Sequence, residues 1–237
     1  MPAHPATSQR RFVQVDTDRL VGWVEGFGSR HGGAQACVTA SGFALSGADG
    51  AGAEVELPFL PWVAPDLSAP DSHLASTLAA AAVEHVRLDR TLIVLLVRRG
   101  GYGIGVLRVG AGPDDVLATK VGGAYVQGRT AAGGWSQQRF ARRRDNQVAE
   151  LVGRAVEVAV RLLVPAPAQV PASAPAWLVT GGDAPLVERA LADPRLTALH
   201  RLPRTARVTV ADPKAVVVAQ VGRELRRLRI GLVDPVD

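Results

Sequence analysis

The sequence predicts an α/β fold built on a mixed sheet, with a smaller α/β unit at its N-terminal end. Its 237 residues are 47% hydrophobic and 21% charged, a balance typical of a globular chain that buries a core. Short apolar runs predict strands, and longer segments with apolar residues three and four positions apart predict helices. From about residue 90, three successive strands, a long helix and then alternating strands and helices predict a layered mixed sheet.

The chain divides into three segments by these patterns. We expect residues 1–10 to form a disordered tail, residues 11–88 the small N-terminal α/β unit, and residues 89–237 the larger domain. In the small unit, FVQVD predicts a strand, and Asp18 is suited to cap a helix that ends near Arg30. Two alternating runs, ACVTASGFALS and AEVELPFL, flank the turn-rich GADGAG and predict a hairpin. A helix over residues 71–86 completes this unit.

The larger domain begins with a hairpin. TLIVLLV predicts a buried strand, Arg99-Gly100-Gly101 a turn, and YGIGVLRV the returning strand. Its glycines lie inside a strand rather than before a helix, which favours the hairpin over a phosphate-binding loop. A third strand follows over about residues 115–121, and a long helix over residues 138–163.

The rest of the larger domain alternates strands and helices after a stiff Pro/Ala connector over residues 164–176. WLVTGG predicts a strand, residues 183–193 a helix, and LPRTARVTV another strand. Asp212-Pro213 is suited to open a final helix. That helix would present a second basic face, formed by Arg223, Arg226, Arg227 and Arg229.

Composition excludes several classes of site. Cys37 is the only cysteine, so there is no disulfide framework and no cysteine-based zinc site; we expect it to be buried in a strand. The five histidines show no metal-ligand spacing, so we expect neither a metal nor another cofactor. The N-terminal residues lack a signal-peptide run, and TLIVLLV is too short to span a bilayer, so we expect a cytoplasmic protein with no membrane partner. Trp23, Trp62 and Trp177 are interpreted as core residues.

The segment GGAYVQGRTAAGGWSQQRFARRRDN, residues 122–146, carries the strongest functional signal. Residues 125–144 contain five arginines and no acid, which equals the net charge of +5 for the whole chain. Arg139, Arg142 and Arg143 stand at i, i+3 and i+4, so one helix face presents all three. Cations near a helix N-terminus are disfavoured by the macrodipole, which favours an external anion such as a phosphate. A solvated basic face near Glu150 is the alternative.

A nucleophile elbow is a second possible interpretation of this segment. Gly134-Trp135-Ser136-Gln137-Gln138 comes within one residue of G-x-S-x-G. The elbow requires a tight strand-to-helix turn, whereas Ser136 follows a loop of about ten residues. The missing context disfavours a serine hydrolase.

The string GGWSQQRFARRRDN resembles the catalytic-loop region of the eukaryotic and archaeal class I translation release factors. That family has Gly-Gly-Gln-Ser, then Arg-Phe-Ala-Arg-x-Arg after two residues, and a long helix. The matching positions are Gly133, Gly134, Ser136, Arg139, Phe140, Ala141, Arg142 and Arg144. The resemblance covers about residues 90–230 and implies the middle-domain, RNase H-like fold of those factors for the catalytic domain. The protein is most similar to the Vms-like release factors of ribosome quality control, in their actinobacterial acVLRF branch.

The resemblance implies a peptidyl-tRNA hydrolase that frees nascent chains on stalled ribosomal complexes. Trp135 stands where the class I factors have their catalytic glutamine. The resemblance therefore implies that a nearby glutamine is catalytic, with Gln137 as the first candidate, Gln138 as the second and Gln127 as the third. Gly133 and Gly134 would keep the loop thin. The implied RNA contacts come from Arg129, Trp135, Arg139, Arg142, Arg143 and Arg144.

The implied partners are large-subunit ribosomal RNA and peptidyl-tRNA, bound by a monomer without a cofactor. The loss of the class I glutamine leaves a second interpretation open. The Pelota-type rescue factors resemble release factors, lack the glutamine, and bind ribosomes without hydrolysis.

Overall fold

The computed structural model describes residues 11–65, 73–123 and 135–235, and for residues 135–141 it describes the backbone alone. The predicted tail, residues 1–10, lies outside the described residues. The chain forms two compact units. One combines Met1–Arg87 with Leu225–Asp237, and the other is Leu88–Glu224.

The described elements confirm the predicted α/β class. The strands are β1 (Arg11–Asp16), β2 (Gln35–Thr39), β3 (Gly42–Ser46), β4 (Gly52–Glu56), β5 (Arg90–Arg98), β6 (Gly101–Val109), β7 (Asp115–Gly123), β8 (Ala176–Gly182) and β9 (Arg227–Val233). The α-helices are α1 (Leu20–Arg30), α2 (Leu74–Arg87), α3 (Trp135–Leu163), α4 (Ala166–Gln169), α5 (Ala184–Leu191), α6 (Ala215–Ala219) and α7 (Val221–Leu225). Two 3₁₀ segments are Thr17–Arg19 and Pro194–Arg201.

The first unit is an antiparallel sheet in the order β1-β9-β4-β3-β2, packed with helices α1 and α2. Leu20, Val24 and Phe27 of α1 are buried against the apolar face of this sheet. The turn-rich GADGAG joins β3 to β4 as a hairpin, as predicted. The run ACVTASGFALS does not form one strand, however, because it doubles back on itself as β2 and β3.

Two predictions for this unit are wrong. Cys37 is exposed, because β2 is the edge strand of the sheet and its side chains are only partly covered. Residues 225–235 were predicted to belong to the larger domain, but β9 lies between β1 and β4 in the first unit. The arginines at 226, 227 and 229 fit a helical spacing, and a helix was predicted here for that reason. In the structure, Leu228 and Ile230 instead follow the alternation of a strand and point into the core.

The second unit contains a mixed sheet in the order β7-β6-β5-β8. The predicted hairpin is confirmed as β5 and β6, and β8 pairs parallel to β5. Every residue of β5 from Arg90 to Val97 is buried, as expected for a central strand with both faces covered. Helices α3 and α5 pack on the face that carries Ile93 and Leu95.

The glycines of β6 have a packing role. A Cβ added at Gly103 would lie 2.7 Å from the carbonyl oxygen of Pro213, and one at Gly105 would lie 2.6 Å from Cγ1 of Val218. These contacts are too short for real carbon atoms, so the glycines allow α6 and the residues before it to cross the sheet closely. A phosphate-binding loop is therefore not required to explain this glycine pattern.

The C-terminal part of the second unit is less regular than predicted. LPRTARVTV forms only isolated bridges, from Arg204 to Leu178 and from Val208 to Gly181, instead of a strand. The final helix is short and divided into α6 and α7, and the Pro/Ala connector contains the one-turn helix α4. Trp177 is buried as predicted, with the Arg90 guanidinium 5.9 Å from its ring centroid.

The position of β9 leads to a prediction about local stability. Replacing the buried Ile230 with alanine creates a cavity in the first unit and should lower the free energy of unfolding by about 2–5 kcal/mol. Hydrogen exchange measured by mass spectrometry should then show faster exchange in β1 and β4, with β5 and β8 unchanged. Arg227→Ala is the control, since this side chain is exposed on the same strand and its ion pair with Asp16 is long, at 3.6 Å. Faster exchange confined to β5 and β8 would contradict the assignment of β9 to the first unit.

Candidate nucleic-acid interface

The segment with the strongest functional signal leaves the mixed sheet at one end. Gly123 of β7 pairs with Gly101 of β6, and Gly182 of β8 pairs with Val97 of β5. The β5–β6 turn and the ends of β7 and β8 therefore lie together at this end of the sheet, called the loop end below. It is also the carboxyl end of the parallel pair β5 and β8, where ligands commonly bind in open α/β sheets.

Helix α3 begins at the loop end. Strands β7 and β8 run in the same direction, because each pairing from β7 through β6 to β5 reverses direction and β8 is parallel to β5. A helix that joins two parallel strands runs back along the sheet, so its first residues lie near the end of the preceding strand. Trp135, the first residue of α3, is separated from the end of β7 by residues 124–134, which lie outside the described residues.

The 29-residue helix α3 has two parts with different environments. From Leu151 to Leu163 it packs into the core through side chains that are fully or nearly buried, among them Val152, Ala155 and Ala159. Between residues 142 and 150, no side chain is fully buried. At 1.5 Å per residue, Arg142 lies about 14 Å along the axis from the first core anchor, Leu151. The second part, residues 151–163, therefore holds the first part, residues 135–150, in place at the loop end.

The exposed part of α3 carries three consecutive arginines, Arg142 to Arg144, followed by Asp145. Arg142 and Arg143 are exposed and Arg144 is half-buried. Among the described residues, none of these three has an acidic partner within ion-pair distance. Glu150 does not neutralise them, because it accepts a hydrogen bond from Arg154 one turn further along. This arrangement favours binding of an external anion over the alternative of a self-compensated solvated face.

Because α3 begins earlier than predicted, its arginines lie further from the helix N-terminus. We predicted a helix from residue 138, but α3 begins at Trp135. Arg142 and Arg143 are therefore in the third turn, where the macrodipole has little effect. The cost that remains is repulsion between like charges three and four positions apart, a few tenths of a kcal/mol for each pair.

Helical periodicity separates the two candidate glutamines. Position 138 stands four residues before Arg142 and three after Trp135, so it shares the exposed basic face. Position 137 stands seven residues before the half-buried Arg144, on the stripe that continues to the core anchors of α3. Both glutamines belong to the first turn of the helix rather than to the loop.

The remaining predicted site residues can be placed only in part. Gln127, Arg129, Gly133 and Gly134 lie outside the described residues. The backbone of Trp135, Gln137, Gln138 and Arg139 forms the start of α3, and their side chains are not described.

The structure adds basic residues to the loop end that the sequence did not single out. The Arg98 guanidinium donates to the carbonyl oxygens of Val210 and Ala211, and the backbone N–H of Arg99 donates to Asp183 at 2.9 Å. Arg98 and Arg207 also line an open cavity of about 500 Å³ beside the end of β8. From the sequence, Arg99 was interpreted only as the start of a turn, Arg98 received no role, and Arg207 was assigned to a strand. Their common location depends on the parallel pairing of β8, which no local pattern reveals.

Other classes of site receive no support from the described part of the chain. Across residues 11–65, 73–123 and 135–235, no three histidine, cysteine or acidic side chains are grouped so that they could hold a metal ion. Among these residues no helix is long and apolar enough to cross a membrane. His85 and His200 instead bond to the carbonyl oxygens of Phe59 and Leu191, each at 2.7 Å.

Comparison with known proteins identifies a family for this chain. Residues 90–231, more than half of the chain, match the family described as Actinobacteria/chloroflexi VLRF1 release factor, acVLRF1. A solved archaeal translation termination factor, aRF1, is 16% identical, with 61% of this chain and 38% of that chain covered and a TM-score of 0.36. The PPX-GPPA enzyme of Aquifex aeolicus is 8% identical, with 51% and 36% covered and a TM-score of 0.30. The chain thus spans little more than a third of each solved protein. No curated protein matches it.

The charge distribution on α3 predicts where a polyanion binds. The double variant Arg142→Gln/Arg143→Gln should elute from a heparin column at clearly lower salt than the wild type, because it removes two uncompensated charges. The matched control is Arg154→Gln/Arg195→Gln, which changes the net charge equally. Arg154 is paired with Glu150, and hydrogen bonds to Asp193 and Glu157 raise the pKa of the Arg195 guanidinium. Equal shifts for the two double variants would show that net charge, and not the α3 cluster, determines binding.

Proposed function

The chain belongs to the Actinobacteria/chloroflexi VLRF1 release factor family, and from this premise we propose that it is a peptidyl-tRNA hydrolase. It would free nascent peptides from tRNA on stalled ribosomal complexes. The observation that carries the proposal is the group of arginines on the exposed part of α3, Arg142, Arg143 and Arg144, none of which pairs with an acid among the described residues, within the string that resembles a release-factor catalytic loop. The partners are large-subunit ribosomal RNA and peptidyl-tRNA in the cytoplasm, bound by a monomer.

The proposed reaction is hydrolysis of the ester that joins the peptide to the 3′ adenosine of tRNA. Water attacks the ester carbonyl, a tetrahedral intermediate forms, and the ribose oxygen leaves with a proton. The ester is already activated, so the protein mainly has to position water and exclude other reactions. A neutral glutamine can accept a hydrogen bond from the attacking water and donate its amide N–H to the developing oxyanion. It cannot act as a general base, so proton transfer depends on the ribosome and the substrate.

We assign the catalytic amide to the pair Gln137 and Gln138, with Gln127 as a third candidate. The sequence favours Gln137, which follows Ser136 of the matched string. The helix register favours Gln138, because this position lies on the basic face with Arg142. In the first helical turn, backbone N–H groups have no intrahelical partner, and they can add donors for the oxyanion.

The neighbouring residues have roles that follow from their chemistry. Gly133 and Gly134 allow a thin loop with backbone angles that side chains would restrict. Arg129, Arg139, Arg142, Arg143 and Arg144 would neutralise RNA phosphates, which gives affinity without sequence preference. Trp135 can stack on an unpaired base. No metal or organic cofactor enters this mechanism.

A second function rests on Trp135, which occupies the position of the class I catalytic glutamine. A Pelota-type rescue factor would use the same basic face to bind the ribosome without hydrolysing the ester. The two functions share the RNA contacts and differ only in whether an amide reaches the ester.

The decisive measurement is peptide release from purified large-subunit–peptidyl-tRNA complexes. The wild type should release peptide, and Gln137→Ala or Gln138→Ala should lower the rate by about 10²–10³-fold, because loss of a transition-state donor costs this much. The other single variant should retain most of the activity. Co-sedimentation with the complexes should be unchanged for both.

Gln147→Ala on the same helix is the matched control, and it should release peptide at the wild-type rate. Binding without release by the wild type would reject the hydrolase and support the Pelota-type function. Release by the wild type that survives in the Gln137→Ala/Gln138→Ala double variant would transfer the assignment to Gln127.

A further inference from the structure

The first unit contains an open cavity of about 740 Å³ that the proposed hydrolase does not use. It is bounded by the start of β1, the end of β9 and helix α1, and Val13, Val15 and Leu232 provide apolar wall. This volume is in the range of pockets that hold small molecules or single nucleotides. The cavity is therefore large enough for a ligand.

Aromatic rings form one side of the cavity. Trp23 and Phe27 of α1 and His31, the residue directly after the helix, follow each other at four-residue spacing, and all three line the cavity. The ring centroids are 5.9 Å apart for Trp23 and Phe27, which are stacked, and 4.5 Å apart for Phe27 and His31. Phe27 is buried and supports Trp23, which is only half-buried. A flat ring that enters the cavity can therefore contact Trp23.

Three exposed arginines, Arg11, Arg19 and Arg30, line the same cavity. Within the described residues none of them forms an ion pair. Arg19 and Arg30 are separated by about 16 Å along the helix axis. They can thus contact different phosphates of one strand.

The acids that line the cavity compensate little of this charge. Asp18 is paired with Arg87 at 2.8 Å, and Asp16 with Arg227 at 3.6 Å. Asp234 remains as one acid against the three arginines. The Asp49 carboxylate accepts a hydrogen bond from His31, and this bond lowers the pKa of Asp49. The cavity consequently has a positive rim and an aromatic side.

We propose that this cavity is a second RNA-binding site, which holds a base of single-stranded RNA against Trp23 and its flanking phosphates on Arg11, Arg19 and Arg30. Stacking on an aromatic ring and phosphate contacts to arginine together characterise sequence-tolerant binding of single strands. An acidic peptide would satisfy the arginines but would offer a planar ring to Trp23 only where it carried an aromatic side chain, whereas every nucleotide carries a base. The site is separate from the proposed catalytic segment and does not depend on peptidyl-tRNA hydrolysis.

Gly22 provides a sharp test of the site. It lines the cavity, and a Cβ added there would meet no atom within 4 Å. Gly22→Leu should therefore place an apolar side chain at the cavity without a clash at its Cβ, and leucine favours the helix more than glycine does. Gly153→Leu is the matched control, because Gly153 is an exposed helical glycine of α3 with equally open space.

Fluorescence anisotropy with a labelled octauridylate measures the binding, in full-length protein carrying Arg142→Gln/Arg143→Gln so that the contribution of the α3 arginines is lowered. This background protein should bind the RNA. Gly22→Leu and Trp23→Leu should each weaken binding at least about tenfold, as expected when a stacking platform is lost. Trp23→Phe should preserve most of it. Arg19→Gln/Arg30→Gln should weaken binding and flatten its salt dependence, whereas Arg154→Gln/Arg195→Gln, which removes two exposed arginines outside the cavity lining, should change it less.

Failure of the background protein to bind octauridylate would overturn the proposal. Equal affinities for the Gly22→Leu and Gly153→Leu proteins would also overturn it. Loss of octaglutamate binding, but not of RNA binding, in Gly22→Leu would instead identify an acidic-peptide site. Because the Arg19→Gln/Arg30→Gln variant changes only exposed side chains, the test does not depend on Trp23 being dispensable for folding.

Discussion

The packing of the second part of α3 against β5 and β6 is the contact on which the candidate interface depends. Residues 151–163 of this helix bury their apolar stripe against a sheet whose central strand, β5, is covered on both faces. That contact fixes the helix axis, and the axis carries Arg142 and Arg143 outward at the loop end. A basic segment on a flexible loop would lose more conformational entropy when it bound RNA. In α3 the conformational entropy of the backbone that carries the arginines is lost during folding. Apolar contacts elsewhere on the helix offset that loss.

Much of the fold was predictable where a pattern was local. The hairpin of β5 and β6 followed from two apolar runs around Arg99-Gly100-Gly101, and α3 from its three- and four-residue spacing. β9 was not predictable in the same way, because its partners β1 and β4 lie more than 150 residues earlier in the chain. Local spacing of arginines competed with strand alternation there, and burial of Ile230 determined the outcome. The division of the chain into two units could not be read from the order of elements for the same reason.

The candidate site was predictable in its chemistry more than in its extent. Five arginines without an acid between residues 125 and 144 indicated an anion partner, and the string GGWSQQRFARRRDN indicated a family. Arg98 and Arg207 joined the loop end only through the parallel pairing of β8. Trp23 was predicted from the sequence to be a core residue. In the structure its ring packs on Phe27 and also lines a cavity.

The residue at which α3 begins determines where the glutamines and the arginines lie along the helix. Had α3 begun at residue 138, the arginines would have lain close to its positive end, and the glutamines would have stood outside regular structure. With the start at Trp135, the glutamines belong to the first turn, whose backbone N–H groups have no partner within the helix, and Arg142 and Arg143 follow two turns later. Under the proposed function, donors for an oxyanion and cations for phosphates would thereby be separated along one helix axis. Position 138 lies on the same face as Arg142, so under the proposed function an ester would approach this position when RNA phosphates occupy the arginines. RNA binding and positioning of the proposed catalytic amide would then be parts of the same docking event.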